Sequence, residues 1–440
     1  MWSKYLRVKE KEGIVAIFHE LHPDPLYFEV DQWFKIKNQK TYHHDNGFVG
    51  KLREKKLIID TPQEDIDEFE KVNFLLEKKL NNPTILYLMT SQGCNLSCKY
   101  CPIPKIKMEN GNILLSERDA ILGIDLWQKH LKDIDNKPDQ YYVIFYGGEP
   151  LLNVKTIVAS LKYLRKQIQN NLLPKETNFM IATNGVLIDE DIVNICKEYS
   201  VMVTIGLDGP KEINDILRVD NNGYGTYDRV IKSIKLLIDN GIPTFASVSI
   251  TPFNIDLISN FSSFFEKIGV NKFGFNFLKG RALLEIVGDG QIDEYYQKAS
   301  SGVINNFRNQ TIPNFEYQME RKLQAFEDKD FYPVDCTCYG NQLVVQPDGQ
   351  ISNCPFHKSN LGQVESISSD FRIWQQPIVK EWRKNLPLYF KGEAKALSGG
   401  GCTWSLLDFE KSFSHPDKIS ELFSEEVLNE FIWRRYSRQS

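Results

Sequence analysis

From residue 85 the chain settles into a regular beat. Short apolar or alternating runs, rich in β-branched and aromatic residues, are each followed by a longer stretch whose apolar positions recur at helical spacing. TILYLMT precedes SERDAILGIDLWQKHLK, where Ser116 is placed to cap the helix. YYVIFYG precedes NVKTIVASLKYLRKQI, NFMIATNG precedes DEDIVNICKEY, and VMVTIGLDG precedes TYDRVIKSIKLLIDNG. TFASVSITP precedes IDLISNFSSFFEKIG, and KFGFNFLKG precedes DEYYQKASSGVINNFRN. These six strand–helix units predict an α/β fold, a parallel sheet covered by helices. Six units are too few to close an eight-unit barrel, so the expectation is an open, partial (β/α)6 barrel over residues 81–312. Catalytic groups in such sheets gather at the C-terminal ends of the strands.

Two further units flank the barrel. Residues 1–80 read as a small α+β unit: GIVAIFHE and LYFEV as strands joined by the turn LHPDP, a short helix DQWFKIKNQ, the segment GKLREKKLIID, and an acidic helix from Pro62 to Leu80. Residues 313–440 open with a predicted hairpin, NQLVVQ, the turn PDG and QISNCPF. The remainder, with Gly399-Gly400-Gly401-Cys402 and an aromatic-rich tail, is expected to be less regular.

Composition narrows the function. A net charge of −5 argues against a general nucleic-acid binder. The charged start MWSKYLRVKEKEG lacks a signal-peptide core, and no apolar run approaches a membrane span, so a cytoplasmic protein is expected. Eight cysteines in that reducing compartment point to metal ligands or catalytic groups rather than disulfides. Three lie within residues 94–101 and four within 336–402. Cys196, among Ile192, Val193 and Ile195, reads as a buried apolar residue. His19, His22, His43 and His44 read as surface residues, and Arg434-Arg435 as a solvated helix face.

Cys94, Cys98 and Cys101 follow the first barrel strand, at the catalytic end of the sheet. Thiolates are the usual ligands of iron–sulfur clusters. This spacing lets one loop bind three irons of a cubane and leave the fourth open. A structural zinc needs four ligands, and no fourth Cys or His lies nearby. After the second strand comes Tyr146-Gly147-Gly148-Glu149-Pro150, whose glycines let the backbone approach a ligand and whose carboxylate can accept from an ammonium group. Ala182-Thr183-Asn184-Gly185 ends the third strand and Leu207-Asp208-Gly209-Pro210 the fourth, with Arg218 in the connection that follows.

CNLSCKYC resembles the signature of the radical S-adenosylmethionine (SAM) superfamily. The resemblance spans residues 85–310 and implies a 4Fe–4S cluster on Cys94, Cys98 and Cys101 whose open iron takes SAM and yields a 5′-deoxyadenosyl radical. It implies that Tyr100 packs near the adenine, and that the motif of Gly147, Gly148 and Glu149 holds the methionine amine. Asn184, Asp208 and Arg218 complete the implied cofactor set, Asp208 toward ribose hydroxyls and Arg218 toward the methionine carboxylate. The string LDGPKEINDILRVDNNGYGTYDRV resembles peptide-modifying members, with one departure: Gly206 stands where those relatives usually carry Ser.

Cys336, Cys338, Cys354 and Cys402, around the PDG hairpin, resemble the SPASM and twitch extensions that carry auxiliary clusters. Four cysteines suffice for one fully ligated cubane, which favours a single auxiliary 4Fe–4S cluster over two. Only one residue separates Cys336 from Cys338, so one of the pair is a candidate free thiol or hydrogen-atom donor. A structural zinc is the alternative. The N-terminal unit, the second cysteine group and the resemblance to maturases together imply a ribosomally made precursor peptide as substrate, given a thioether, a carbon–carbon crosslink or an epimerised centre. Flavodoxin or ferredoxin is the implied electron donor. The runner-up is a sulfatase-maturase-like enzyme or a small-molecule radical dehydrogenase. A reading from another class is a cluster-bearing redox sensor or scaffold.

Overall fold

The first eighty residues fold on an antiparallel meander. The computed structural model describes residues 1–38, 47–101, 112–134, 139–310, 315–328, 334–357, 359–384, 386, 398–409 and 417–439. Strands β1 (Leu6–Lys11), β2 (Ile14–His19) and β3 (His22–Glu29) pair in that order. The expected LHPDP turn is displaced. His19 pairs with His22, so the reversal is at Glu20-Leu21, and Pro23 and Pro25 lie inside β3. A strand tolerates prolines when they fall on its free edge. Val30 N–H donates to Gly13, which turns the N–H groups of the even positions of β3 toward β2, so the prolines take positions where no pairing donor is lost, and both are buried. The charged strand β1 also lies at an edge, where alternation is weak. Helices α1 (Val30–Lys37), α2 (Phe48–Glu54) and α3 (Pro62–Leu80) follow. The last has its expected bounds, with a capping box between Thr61 and Glu64 and Pro62 in its first turn.

The barrel alternates as expected: β4 (Ile85–Ser91), α4 (Glu117–Lys132), β5 (Tyr141–Gly147), α5 (Val154–Gln169), β6 (Thr177–Thr183), α6 (Glu190–Tyr199) and β7 (Val201–Gly206). Two helices, α7 (Lys211–Leu217) and α8 (Tyr227–Asp239), then lead to β8 (Thr244–Ile250), α9 (Phe261–Lys267), β9 (Lys272–Phe277), α10 (Gly280–Ile286) and α11 (Ile292–Asn309). Ser116 caps α4 by accepting from Asp119 N–H at 3.0 Å. Every second strand residue is buried under the helices, as Val143 and Phe145 are on β5 and Val203 and Ile205 on β7. The intervening positions line the concave face. Cys196 is buried in this core.

The C-terminal unit joins the same sheet rather than standing apart. After β10 (Phe315–Glu316) and α12 (Tyr317–Glu327), β11 (Gln342–Val345) lies parallel to β4, and β12 (Ile351–Ser352) folds back on it as the expected hairpin. The sheet order is β10-β9-β8-β7-β6-β5-β4-β11-β12, with eight parallel strands and β12 antiparallel. Helices α13 (Pro377–Arg383), α14 (Thr403–Phe409) and α15 (Lys418–Gln439) complete it. The tail is thus a long helix where irregular structure was expected: Ile419, Phe423, Val427 and Phe431 form its buried stripe. Arg434 is exposed on a solvated face, as expected, whereas Arg435 is half-buried. Arg434 lies 4.5 Å over the Phe307 ring, and Arg435 pairs with Asp24 of β3 at 2.9 Å. His19 is buried, where burial pushes it down to about 3, and His22 pairs with Glu68 at 2.7 Å. His43 and His44 lie outside the described residues. Among the described residues no helix is long and apolar enough to cross a membrane.

His130 ties α4 to the C-terminal unit. Its Nδ1 is 2.8 Å from the Leu126 carbonyl, and its Nε2 accepts from Ile373 N–H at 3.1 Å, so the imidazole is neutral. Burial pushes it down to about 4 from an ordinary 6.5. A depressed histidine contributes stability that is complete above pH 6.5 and is lost as pH falls toward 4. That is about 3 kcal/mol across the window. Urea unfolding of His130→Gln should therefore fall less steeply between pH 6.5 and 4 than that of the parent, by about this amount. Equal slopes would remove His130 as the acid-sensitive joint.

Candidate active site

The three-cysteine loop leaves β4 and is pinned by its own backbone. Ser97 N–H donates to Val219 at 2.8 Å, Lys99 N–H donates to Leu217 at 3.0 Å, and Leu96 bridges Asp220. Leu96 and Tyr100 turn inward as buried anchors between the cysteines. The thiols consequently face the same mouth: Cys94 and Cys98 are half-buried and Cys101 is exposed. Burial pushes Cys94 up to about 11 and Cys98 up to about 12, each raised further by the neighbouring thiols. Ligation as thiolates therefore calls for metal charge close by.

Strand β5 ends against this loop at very close range. A Cβ on Gly147 would sit 2.3 Å from the Ser91 carbonyl oxygen, and one on Gly148 would sit 2.2 Å from that of Gly93. Gly148 N–H donates to Ser91 at 2.8 Å and Glu149 N–H donates to Gly93 at 2.9 Å. Glu149 is fully buried. Its Oε1 accepts from Thr183 Oγ1 at 2.6 Å and Leu151 N–H at 3.0 Å, and its Oε2 accepts from Asn184 N–H at 2.8 Å. Burial still holds its carboxyl up at about 6. Asn184 reaches back, its Nδ2 donating to Asn95 at 2.7 Å and lying 3.7 Å from Cys94 Sγ. The ends of β4, β5 and β6 thus form one bonded group.

Arg218 closes the other side. Its Nε and Nη2 donate to Asp208 at 2.8 and 3.1 Å, and Tyr100 Oη donates to the same carboxylate. The guanidinium lies 5.5 Å over the Tyr100 ring.

Residues 88–260 match the family model described as the Radical SAM superfamily. The chain carries a radical SAM domain. The radical SAM cyclopropyl synthase TigE of Paramaledivibacter caminithermalis is 24% identical over 404 residues, covering 83% of this chain and 81% of TigE. The solved structure of native anSMEcpe with bound AdoMet has a TM-score of 0.64 at 20% identity, covering 80% of this chain and 97% of that one. Streptococcus suis SuiB bound to its precursor peptide SuiA has a TM-score of 0.50 at 16% identity, covering 96% of this chain and 99% of that one. These two share the fold. The radical SAM family implies a 4Fe–4S cluster and SAM, and the chain is an enzyme of this class.

Next to the radical SAM domain the structure gathers the other four cysteines. Cys336 and Cys338 flank a single turn, Cys354 follows β12, and Cys402 precedes α14. Gly399, Gly400 and Gly401 deliver Cys402 through three successive positive φ values of 73, 80 and 81°, a path that only glycine follows readily. A hydrogen bond with Cys338 lowers the Cys336 thiol, while burial and that same hydrogen bond raise Cys338. Burial works against the Lys279 ammonium at the end of β9, yet Cys402, Asp417, Cys336 and Asp335 hold its pKa above the ordinary value. Tyr146 stands between the two cysteine groups, its ring 5.9 Å from Phe356 and 6.2 Å from Tyr87. Sequence reading quoted Tyr146 and Thr183 within its motifs without giving either a role, and it missed Lys279. Their only signal was position, each standing at or just past the C-terminal end of a barrel strand. Among the described residues no three His, Cys, Asp or Glu side chains converge as a single-ion site.

Gly148→Ala tests the closest contact. The added methyl meets backbone, so β5 must part from the cysteine loop, at a cost of about 1–3 kcal/mol. Gly50→Ala on α2 meets nothing within 4 Å and should be neutral or stabilising. Urea unfolding of the two variants should separate them in that sense, and equal midpoints would mean the contact carries no constraint.

Proposed function

We propose that this radical SAM enzyme modifies a ribosomally made precursor peptide, in the cytoplasm, with electrons from a flavodoxin or ferredoxin. The observation that carries the cofactor reading is the bonded group at the strand ends, where the cysteine loop is held between Glu149 on one side and Arg218 on the other. Cys94, Cys98 and Cys101 would hold the 4Fe–4S cluster. Three thiols on one loop can bind three irons of such a cluster and leave the fourth for SAM. Glu149, through the acceptor position its three donors leave open, would hold the methionine amine with Asn184 beside it. Arg218 would hold the carboxylate by charge-assisted bonds, and Tyr100 would pack at the adenine. Gly147 and Gly148 keep the backbone bare where the cofactor enters. Once bound, cluster and SAM supply the 5′-deoxyadenosyl radical. The chain's own part is to hold both ends of the methionine in a mouth lined by buried side chains, which limits water.

Cys336, Cys338, Cys354 and Cys402 would hold one auxiliary 4Fe–4S cluster. The peptide reading is supported by residues 1–80, whose sheet has an edge strand, β1, free of proline and suited to strand addition. It is supported too by similarity to TigE and by the fold shared with peptide-bound SuiB.

Replacing Cys94, Cys98 and Cys101 together by Ala should abolish reductive formation of 5′-deoxyadenosine. Iron should fall from about eight to about four per chain. Retained deoxyadenosine, or zinc in place of the residual iron, would overturn the corresponding assignment. For the peptide, hydrogen exchange of the holoenzyme should slow in β1 on adding a synthetic precursor peptide that the holoenzyme modifies. Protection confined to the barrel mouth would place docking elsewhere.

A further inference from the structure

Asp208 has no acceptor capacity left for a ligand. Its side chain is wholly buried. Oδ1 accepts from Ser249 N–H at 2.9 Å and Arg218 Nη2 at 3.1 Å. Oδ2 accepts from Arg218 Nε at 2.8 Å and from Tyr100 Oη. Four donors fill the roughly four lone-pair positions of a carboxylate.

Gly206, two residues earlier at the end of β7, is bare for a reason of space. Its φ is not among the positive ones, so an L side chain meets no backbone strain there. A Cβ would, however, lie 2.2 Å from Arg218 Nη1, 2.6 Å from its Cζ and 2.7 Å from its Nη2. The guanidinium occupies the place a side chain would take. Its side chain is only 11% exposed, and no protein hydrogen bond accounts for Nη1 among the described residues. One buried carboxylate thus fixes two nitrogens, a tyrosine ring supports the plane from below, and the third nitrogen remains to donate.

We propose that Gly206, Asp208 and Tyr100 form a seat that aims Arg218 Nη1 at the carboxylate of SAM, and that Gly206 and Asp208 act through Arg218 and make no cofactor contact of their own. Both are positioning residues. The inference rests on the cofactor reading above, and it replaces a ribose contact for Asp208 with an orienting role.

The experiment is a double-mutant cycle on the reconstituted holoenzyme, reading SAM affinity by titration calorimetry without reductant. Arg218→Met should weaken SAM binding, and Gly206→Ala should weaken it by roughly tenfold, the scale of one charge-assisted hydrogen bond. In the Arg218→Met background Gly206→Ala should add nothing. With reductant present, Gly206→Ala should raise KM for SAM while kcat for 5′-deoxyadenosine is kept, a split that general misfolding does not give. The added methyl meets the movable end of a long side chain, so the variant should fold. If it does not, Asp208→Asn takes its place in the same cycle. Equal losses from Gly206→Ala in both backgrounds would overturn the seat, as would full SAM affinity in Arg218→Met. Failure of the parent holoenzyme to bind SAM would instead overturn the cofactor reading.

Discussion

The backbone of Gly148 lies against the carbonyl of Gly93 with no room for a side chain between them. Through that contact the end of β5 holds the start of the cysteine loop. Through Glu149 it also holds the end of β6, because the carboxylate is shared between Thr183 and Asn184. The far end of the loop is fastened to residues 217–221, so both ends of the cysteine loop are fixed by neighbours rather than by their own propensity. Each clamp includes a buried acid. Glu149 is offset by three hydrogen bonds and Asp208 by a two-pronged arginine, the pairing that makes a buried charge tolerable.

A second set of contacts fastens the flanking units to this frame. Strand β11 extends the sheet beyond β4, so the hairpin before Cys354 is as rigidly placed as the barrel strands. Arg383 of α13, almost wholly buried, donates to the carbonyls of Tyr339 and Leu80 and to Glu77 and Asn81, tying α3 to the turn between Cys338 and β11. Cys338 and Cys354 pack with Val72, Leu76 and Leu80 of α3 in one apolar cluster.

Legibility in the sequence followed local physics. The barrel helices, α3 and the Ser116 cap were readable because periodicity and capping are encoded by neighbours in the chain. Strand β1 was not, because an edge strand with one covered face need not alternate, and LRVKEK is mostly charged. The prolines of β3 signalled a turn but lie inside the strand, where the side away from β2 needs no donor. The aromatic tail hid its helix because Trp433 and Tyr436 lie off the buried stripe. Cysteine spacing revealed both thiol groups, yet nothing in the string shows that Gly206 makes space for Arg218 or that Lys279 faces Cys402. Those facts belong to distant strands that only folding brings together.

The cluster shared by α3, Cys338 and Cys354 bears on modularity. Residues 1–80 look like a detachable cassette when the chain is read from end to end, and a graft that exchanged them to change recognition would seem a simple cut. In three dimensions that cut runs through a core. Val72, Leu76 and Leu80 would leave with the cassette, and the walls around two of the thiols would leave with them. A chimera of such proteins needs its seam drawn before α3, so that recognition travels while the cysteine pocket stays whole.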